Sequence, residues 1–219
     1  MQSLSLFGSA RPESEDSTSN PYFRELIELP RAELHYYPRF HDPVRATELL
    51  ATFLEQTPWR QDKISIAGKW MDVPRLQAWF GDKRSSYAYS GINLDPLPWT
   101  PQLLAVKSET EKLTGQKFNS VLLNLYRDGN DSVAWHSDDE AELGTDPLIA
   151  SLSYGAERKL EHRPRDRSLG AKRVMPLANG SLLLMGKGLQ QHWQHQLPKA
   201  PGLSVPRVNL TFRYIHSMA

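Results

Sequence analysis

The chain has no cysteine in its 219 residues. That excludes a disulfide framework and any thiolate-ligated metal centre, and it suits a reducing compartment. Long apolar runs are missing too: none approaches the ~20 residues a helix needs to cross a bilayer. Near the N-terminus no basic region leads into an apolar stretch, so no secretory leader is expected. An excess of charge of one sign is also absent. Lys and Arg number 26 against 25 Asp and Glu, a formal net charge of +1, so bulk electrostatics alone name no partner. These absences predict a soluble, cytoplasmic protein, and the length makes one sizeable domain the default.

The first 22 residues are rich in Ser, Glu, Pro and Gly, a composition that predicts a disordered tail ahead of a domain over residues 23–219. Residues 32–37 read as a strand. Asp42-Pro43 predicts a helix start, with Leu49, Leu50, Phe53 and Leu54 at helical spacing behind it. A second helix is predicted from Thr100-Pro101 to about Leu113, closed by Gly115. Beyond it the chain turns to short strands near residues 118–126, 132–135, 149–154, 159–163, 173–177, 181–185, 194–197 and 207–214. Helices followed by many antiparallel-looking strands predict an α+β fold with a double-sheet core.

Two strand-borne patterns carry chemistry. In Arg207-Val208-Asn209-Leu210-Thr211-Phe212-Arg213-Tyr214, alternation puts Arg207, Asn209, Thr211 and Arg213 on one face. At roughly 3.3 Å per residue the two arginine Cα atoms lie about 20 Å apart, so long side chains leaning inward frame a gap suited to a dicarboxylic acid. A solvated edge strand would show the same alternation. Upstream, His136-Ser137-Asp138 places an imidazole and a carboxylate at i and i+2, and His192 and His195 lie about sixty residues on. Two histidines and one carboxylate with open positions form the facial triad of non-haem Fe(II) oxygenases. Chemistry alone does not choose between His192 and His195. The order His-x-Asp, distal His, arginine strand suits iron with a bidentate 2-oxo acid whose far carboxylate needs a cation. Asn124 and Tyr126 form a further polar pair on a strand whose Leu123 and Leu125 face the other way.

These residues resemble the AlkB family of Fe(II)/2-oxoglutarate dioxygenases, nearest the branch of human AlkB homologues two and three. The resemblance spans roughly residues 64 to 214. It rests on Gly68-Lys69-Trp70, Val73-Pro74-Arg75-Leu76-Gln77, Tyr87-Ala88-Tyr89-Ser90-Gly91, Asn124-Leu125-Tyr126-Arg127-Asp128-Gly129, His136 to Glu140 and Arg207 to Arg213. It implies a double-stranded β-helix (jelly-roll) core with N-terminal supporting helices. The implied requirements are Fe(II), 2-oxoglutarate and O2. It also implies His136, Asp138 and His195 as metal ligands, and Asn124, Tyr126, Arg207, Asn209, Thr211 and Arg213 around the cosubstrate.

On the substrate side the resemblance implies Tyr87, Tyr89 and Ser90, with Tyr89 stacking a base against His136. Asp139 and Glu140 would attract a cationic methylated base, Asp139 being the better placed, and Arg75 belongs to the same group. The basic stretch Arg158, Lys159, His162, Arg163, Arg165, Arg167, Lys172 and Arg173 predicts a phosphate-binding patch, led by Arg163 and Arg165. The implied activity is oxidative demethylation of 1-methyladenine and 3-methylcytosine in DNA or RNA, with nucleoid association. A dioxygenase acting on protein side chains, or a silent module that binds damaged nucleic acid, fits the same residues less fully. Where homologue two carries a wedging aromatic, this chain has Ala67; either duplex substrates are handled poorly and single strands are the substrate, or another residue fills the gap. Finally, Ser3-Leu4-Ser5-Leu6-Phe7 resembles the Leu-x-Leu-Phe peptides by which bacterial repair proteins grip the sliding clamp.

Overall fold

The computed structural model describes residues 24–66, 68–83, 87–89, 92–94 and 96–216. In chain order the elements begin with β1 (Glu25–Leu26), β2 (Leu34–Tyr37), α1 (Pro43–Gln56), β3 (Lys63–Ile66), β4 (Lys69–Asp72) and β5 (Leu76–Gly81). They continue with β6 (Tyr87–Tyr89), β7 (Ile92–Leu94), α2 (Pro101–Thr114), β8 (Ser120–Tyr126), β9 (Val133–His136) and β10 (Ile149–Gly155). The last are β11 (Arg158–Pro164), β12 (Arg173–Leu177), β13 (Ser181–Met185), α3 (Leu189–His192), β14 (Trp193–Leu197) and β15 (Arg207–Arg213). Among the described residues no helix is long and apolar enough to cross a membrane.

Both long helices begin and end where local chemistry dictates. The Asp42 carboxylate accepts the N–H groups of Val44 and Arg45, and Thr100 Oγ1 accepts that of Leu103. Proline follows each cap, where its missing N–H matters least. Gly115 closes α2 with a left-handed φ of 70°. The prediction that helices precede the strands is corrected, because β3 to β7 run between α1 and α2. Those strands are short, and β4 is exposed at every position, so no alternation marked them.

A seven-stranded sheet, ordered β1-β2-β13-β10-β15-β8-β5, faces a four-stranded sheet, β12-β11-β14-β9. All their pairings are antiparallel. This is the expected jelly-roll core. The outer face of the large sheet, including Leu123, Leu152, Val208, Leu210 and Phe212, packs on α1 and α2. Its inner face shares a second apolar cluster with the small sheet, through Leu122, Leu160, Leu177, Trp193 and Leu197. Strand β15 is no edge strand. It lies between β10 and β8, and every residue from Arg207 to Arg213 is buried. Its alternation therefore points apolar side chains at the helices and polar ones into the space between the sheets.

Candidate metal and cosubstrate site

The sheet register assembles the candidate metal ligands. His136 on β9 lies directly opposite His195 on β14, and their ring centroids are 4.2 Å apart. Asp138 follows two residues after His136, and one ligand atom from each of the three side chains lies within 4.8 Å of the others. His195 Nε2 faces Asp138 Oδ2 at 3.8 Å. His136 Nδ1 donates to the Ala134 carbonyl at 2.8 Å, which fixes the tautomer and leaves Nε2 as the ligand atom. His192 ends α3 and is not in the cluster, so of the two histidines it is His195 that joins the candidate ligand set.

Charges around the triad suit a cation. Burial opposes ionisation of Asp138, but Arg213 and the two histidines outweigh it and hold the carboxyl well below its usual range. Arg213 Nη2 donates to Asp138 Oδ1 at 2.7 Å, with both groups buried. Burial pushes the His195 pKa well below that of a free imidazole, and His136 adds to the effect while Asp138 opposes it. An ionised carboxylate and neutral imidazoles are the states a metal ion requires.

The cosubstrate wall continues along β15. Arg207 is 2% exposed, and its Nη2 donates to Ser153 Oγ at 2.9 Å. Its Nε is buried and has no hydrogen-bond partner, and among the described residues no carboxylate pairs with it. Burial lowers its pKa to about 10, so it stays charged at neutral pH. A buried guanidinium without a counter-ion is unfavourable by several kcal/mol until an anion arrives, which is the vacancy a carboxylate of 2-oxoglutarate would fill. Tyr126 lies between Arg207 and Arg158, with guanidinium carbons 5.2 and 5.7 Å from its ring centroid. Asn124 Oδ1 accepts from Arg75 Nε at 2.8 Å and from Gln77 Nε2 at 2.9 Å, so the amide turns its Nδ2 donor toward the cavity. Asn209 Nδ2 donates to Ser151 Oγ and the Leu152 carbonyl, both at 2.8 Å, while its Oδ1 accepts from Thr211. Asn209 and Thr211 line the cavity but bond chiefly within the sheet. Asn124, Tyr126, Arg207, Asn209, Thr211 and Arg213, with the triad, surround one cavity.

Several expected substrate residues sit differently from their prediction. Arg75 is 5% exposed; it holds Asn124 in place and lines both this cavity and the adjoining groove. Asp139 is not a free anion, because Arg165 Nη2 bonds its Oδ2 at 2.5 Å and Ser137 Oγ at 2.8 Å. The carboxylate oxygen left buried without a partner is Glu140 Oε2. Arg163 stacks on Trp135 at 4.4 Å and bonds Gln194 Oε1 through Nε and Nη2. The basic cluster is not one surface patch. On β11, Arg158 and His162 point inward with Leu160 and are 2% and 1% exposed, since alternation gives the three one face. Arg158 binds the carbonyls of Asp128, Asp131 and Pro198. His162 lies opposite His195 and burial lowers its pKa to about 4. Tyr87 and Tyr89 lie on β6, but their side chains, Ser90, Ala67 and the Ser3–Phe7 peptide fall outside the described residues. The supporting residues Gln77, Ser151 and Ser153 escaped the sequence reading. Gln77 stands in a quoted motif, and Ser151 and Ser153 show the same i, i+2 polar spacing as Asn124 and Tyr126.

Beside His136, a groove of about 680 Å³ runs between the β3–β4 hairpin and β9, lined by Ile64, Met71, Pro74, Val133 and Trp135. It is large enough for a nucleobase and reaches His136.

The sequence matches the profile of the 2OG-Fe(II) oxygenase superfamily over residues 33–213. It is 42% identical over 188 residues to human alpha-ketoglutarate-dependent dioxygenase alkB homolog 3, covering 82% of this chain and 65% of that protein. It is 45% identical over 160 residues to human DNA oxidative demethylase ALKBH2, covering 70% of this chain and 61% of the relative. The chain thus spans just under two thirds of these relatives' length. Among solved structures, OsALKBH1 superposes with a TM-score of 0.55 at 15% identity, covering 87% of this chain and 99% of that one, a likeness of fold.

Proposed function

Because this chain belongs to the 2OG-Fe(II) oxygenase superfamily, we propose that it is an oxidative demethylase of N-alkylated bases, such as 1-methyladenine and 3-methylcytosine, in DNA or RNA. The observation that carries this reading is one cavity with His136, Asp138 and His195 converging at one end and Arg207, buried without a carboxylate, along its wall. Two of the curated relatives that the chain resembles are named as an alpha-ketoglutarate-dependent dioxygenase and a DNA oxidative demethylase.

His136 Nε2, Asp138 Oδ2 and His195 would hold Fe(II). Arg207, the Asn124 amide and Tyr126 would hold 2-oxoglutarate, with Arg213 at the metal end. Bound together, Fe(II), 2-oxoglutarate and O2 supply the oxidising power that hydroxylates the methyl carbon, after which the adduct loses formaldehyde. The protein's part is placement. Arg213 keeps Asp138 ionised and aimed; Arg75 and Gln77 keep the Asn124 donor turned inward. The groove beside His136 receives the base taken out of its stack, with Tyr89 the expected ring on its other side. Asp139, although paired with Arg165, would with Glu140 favour a cationic base. Arg163 and Arg165 would track the phosphate backbone.

The test is anaerobic reconstitution with Fe(II), then aerobic turnover with 2-oxoglutarate against matched methylated and unmethylated oligonucleotides, single- and double-stranded, read by mass. Loss of methyl groups with formaldehyde release is expected, fastest on single strands. Succinate release stimulated by a peptide and not by methylated oligonucleotides would instead mark a protein-directed dioxygenase, and tight binding without formaldehyde a silent reader. We also propose that the Ser3–Phe7 peptide contacts the sliding clamp at the nucleoid, in the cytoplasm. Clamp recovered equally with and without residues 1–10 would end that idea.

A further inference from the structure

Two cross-links tie the turn carrying Asp138 to the segment that delivers His195. Ser137 Oγ donates to the Trp193 carbonyl at 2.9 Å, and the backbone N–H of Asp138 donates to Oε1 of Gln190 at 3.0 Å. Gln190 lies on α3, the single-turn helix before β14, and is 3% exposed. Its Nε2 meets Met185 Sδ at 3.8 Å, and a thioether is a weak acceptor. A buried amide is unfavourable unless hydrogen-bonded, and the firm partner of this one is the main chain of Asp138.

Asp138 is therefore gripped twice. Arg213 holds its Oδ1, and Gln190 holds its backbone N–H. A single bond to Oδ1 leaves the carboxylate free to pivot about that contact. Fixing the main chain removes the pivot and keeps Oδ2 turned toward His195. The platform under Gln190 is itself rigid. Gly188 precedes α3 with a φ of +77°, and a Cβ there would meet the Arg31 carbonyl oxygen at 2.0 Å, while Trp193 Nε1 donates to the Pro30 carbonyl at 3.0 Å.

We propose that Gln190 is a positioning residue for the metal centre, its side-chain carbonyl setting the backbone of Asp138 and through it the direction of the ligand carboxylate. This rests on His136, Asp138 and His195 being metal ligands. Partners that orient ligands in this way are typically worth 10–100-fold in metal affinity, so their loss shows in metal uptake before it shows in folding.

The test titrates Co(II), as a spectroscopic probe, anaerobically into the apo forms of wild type, Gln190→Met and Gln190→Glu, alongside apo thermal melts. Gln190→Met keeps the volume and removes the acceptor; Gln190→Glu keeps an acceptor oxygen in place. We expect Gln190→Met to bind Co(II) roughly 10–100-fold more weakly, with an altered visible band, and Gln190→Glu to recover most of the affinity. Equal affinity and an unchanged band in Gln190→Met overturn the proposal. Wild type that takes up no Co(II) overturns the metal assignment itself, and this inference with it. Amide exchange of wild-type apo protein needs no variant: the Asp138 N–H should be slowed at least about tenfold relative to unstructured chain, and exchange at the unstructured rate overturns the proposal.

Discussion

Strand β15 ends in two arginines that face the same cavity, and their surroundings differ in one respect that decides their roles. Arg213 is 3% exposed and bonded to Asp138 at 2.7 Å. Arg207, 2% exposed, is bonded to a serine hydroxyl, and no described carboxylate pairs with it. One arginine completes a buried ion pair within the protein; the other is a buried cation with no carboxylate partner among the described residues. Removing one partner of the first is severe for the fold, whereas the second burdens the apo protein and, on the proposed function, is offset only in the complex.

Breaking the metal end should give the largest effect. Asp138→Ala should abolish turnover and also destabilise the apo protein by about 3–5 kcal/mol, because it removes the carboxylate from a buried ion pair. Turnover assays and urea unfolding of the apo protein check this; an apo form as stable as wild type would mean that the Arg213 pair is not what the geometry says. Second in size is Arg207→Leu. It should weaken 2-oxoglutarate binding by roughly 2–5 kcal/mol and leave the apo protein as stable as wild type or more so, since an apolar side chain replaces a buried cation that has no carboxylate partner among the described residues. Apo destabilisation matching that of Asp138→Ala would erase the distinction between the two ends.

The smallest effect serves as a control from outside the cavity. Glu111 on α2 accepts the Phe118 N–H and pairs with Lys107 and Lys117. Burial opposes its ionisation, yet those donors lower its pKa to about 2. A folded value below the ordinary 4.5 means stabilisation that is full above pH 4.5 and lost as pH falls toward 2. Glu111→Gln should therefore reduce stability by about 1 kcal/mol at neutral pH, flatten the acid limb of the stability profile, and leave metal and 2-oxoglutarate affinity unchanged.

Much of this was legible in the sequence because the chemistry rides on strands. A period of two is short enough to read locally, so Arg207 with Arg213, and Asn124 with Tyr126, could be placed on one face without coordinates. Helix ends were legible for the same reason: Asp42-Pro43, Thr100-Pro101 and Gly115 act on their own neighbours. What failed depends on partners far along the chain. The Arg213–Asp138 and Arg165–Asp139 pairs join β15 and the stretch after β11 to the turn after β9, and no local spacing announces them. Arg158 and His162 were grouped with surface charges although Leu160 between them marks an inward face. Helix α3 is a single turn, too short to show periodicity, so Gln190 had no signature.

The most direct test is an anaerobic calorimetric titration of 2-oxoglutarate into Fe(II)-loaded protein, wild type against Arg207→Leu, each repeated without metal. One equivalent should bind tightly to loaded wild type, with binding weakened sharply when either the metal or Arg207 is removed. Equal affinity in all four titrations would show that the cavity holds no such pair of anchors, and would contradict the account at its centre.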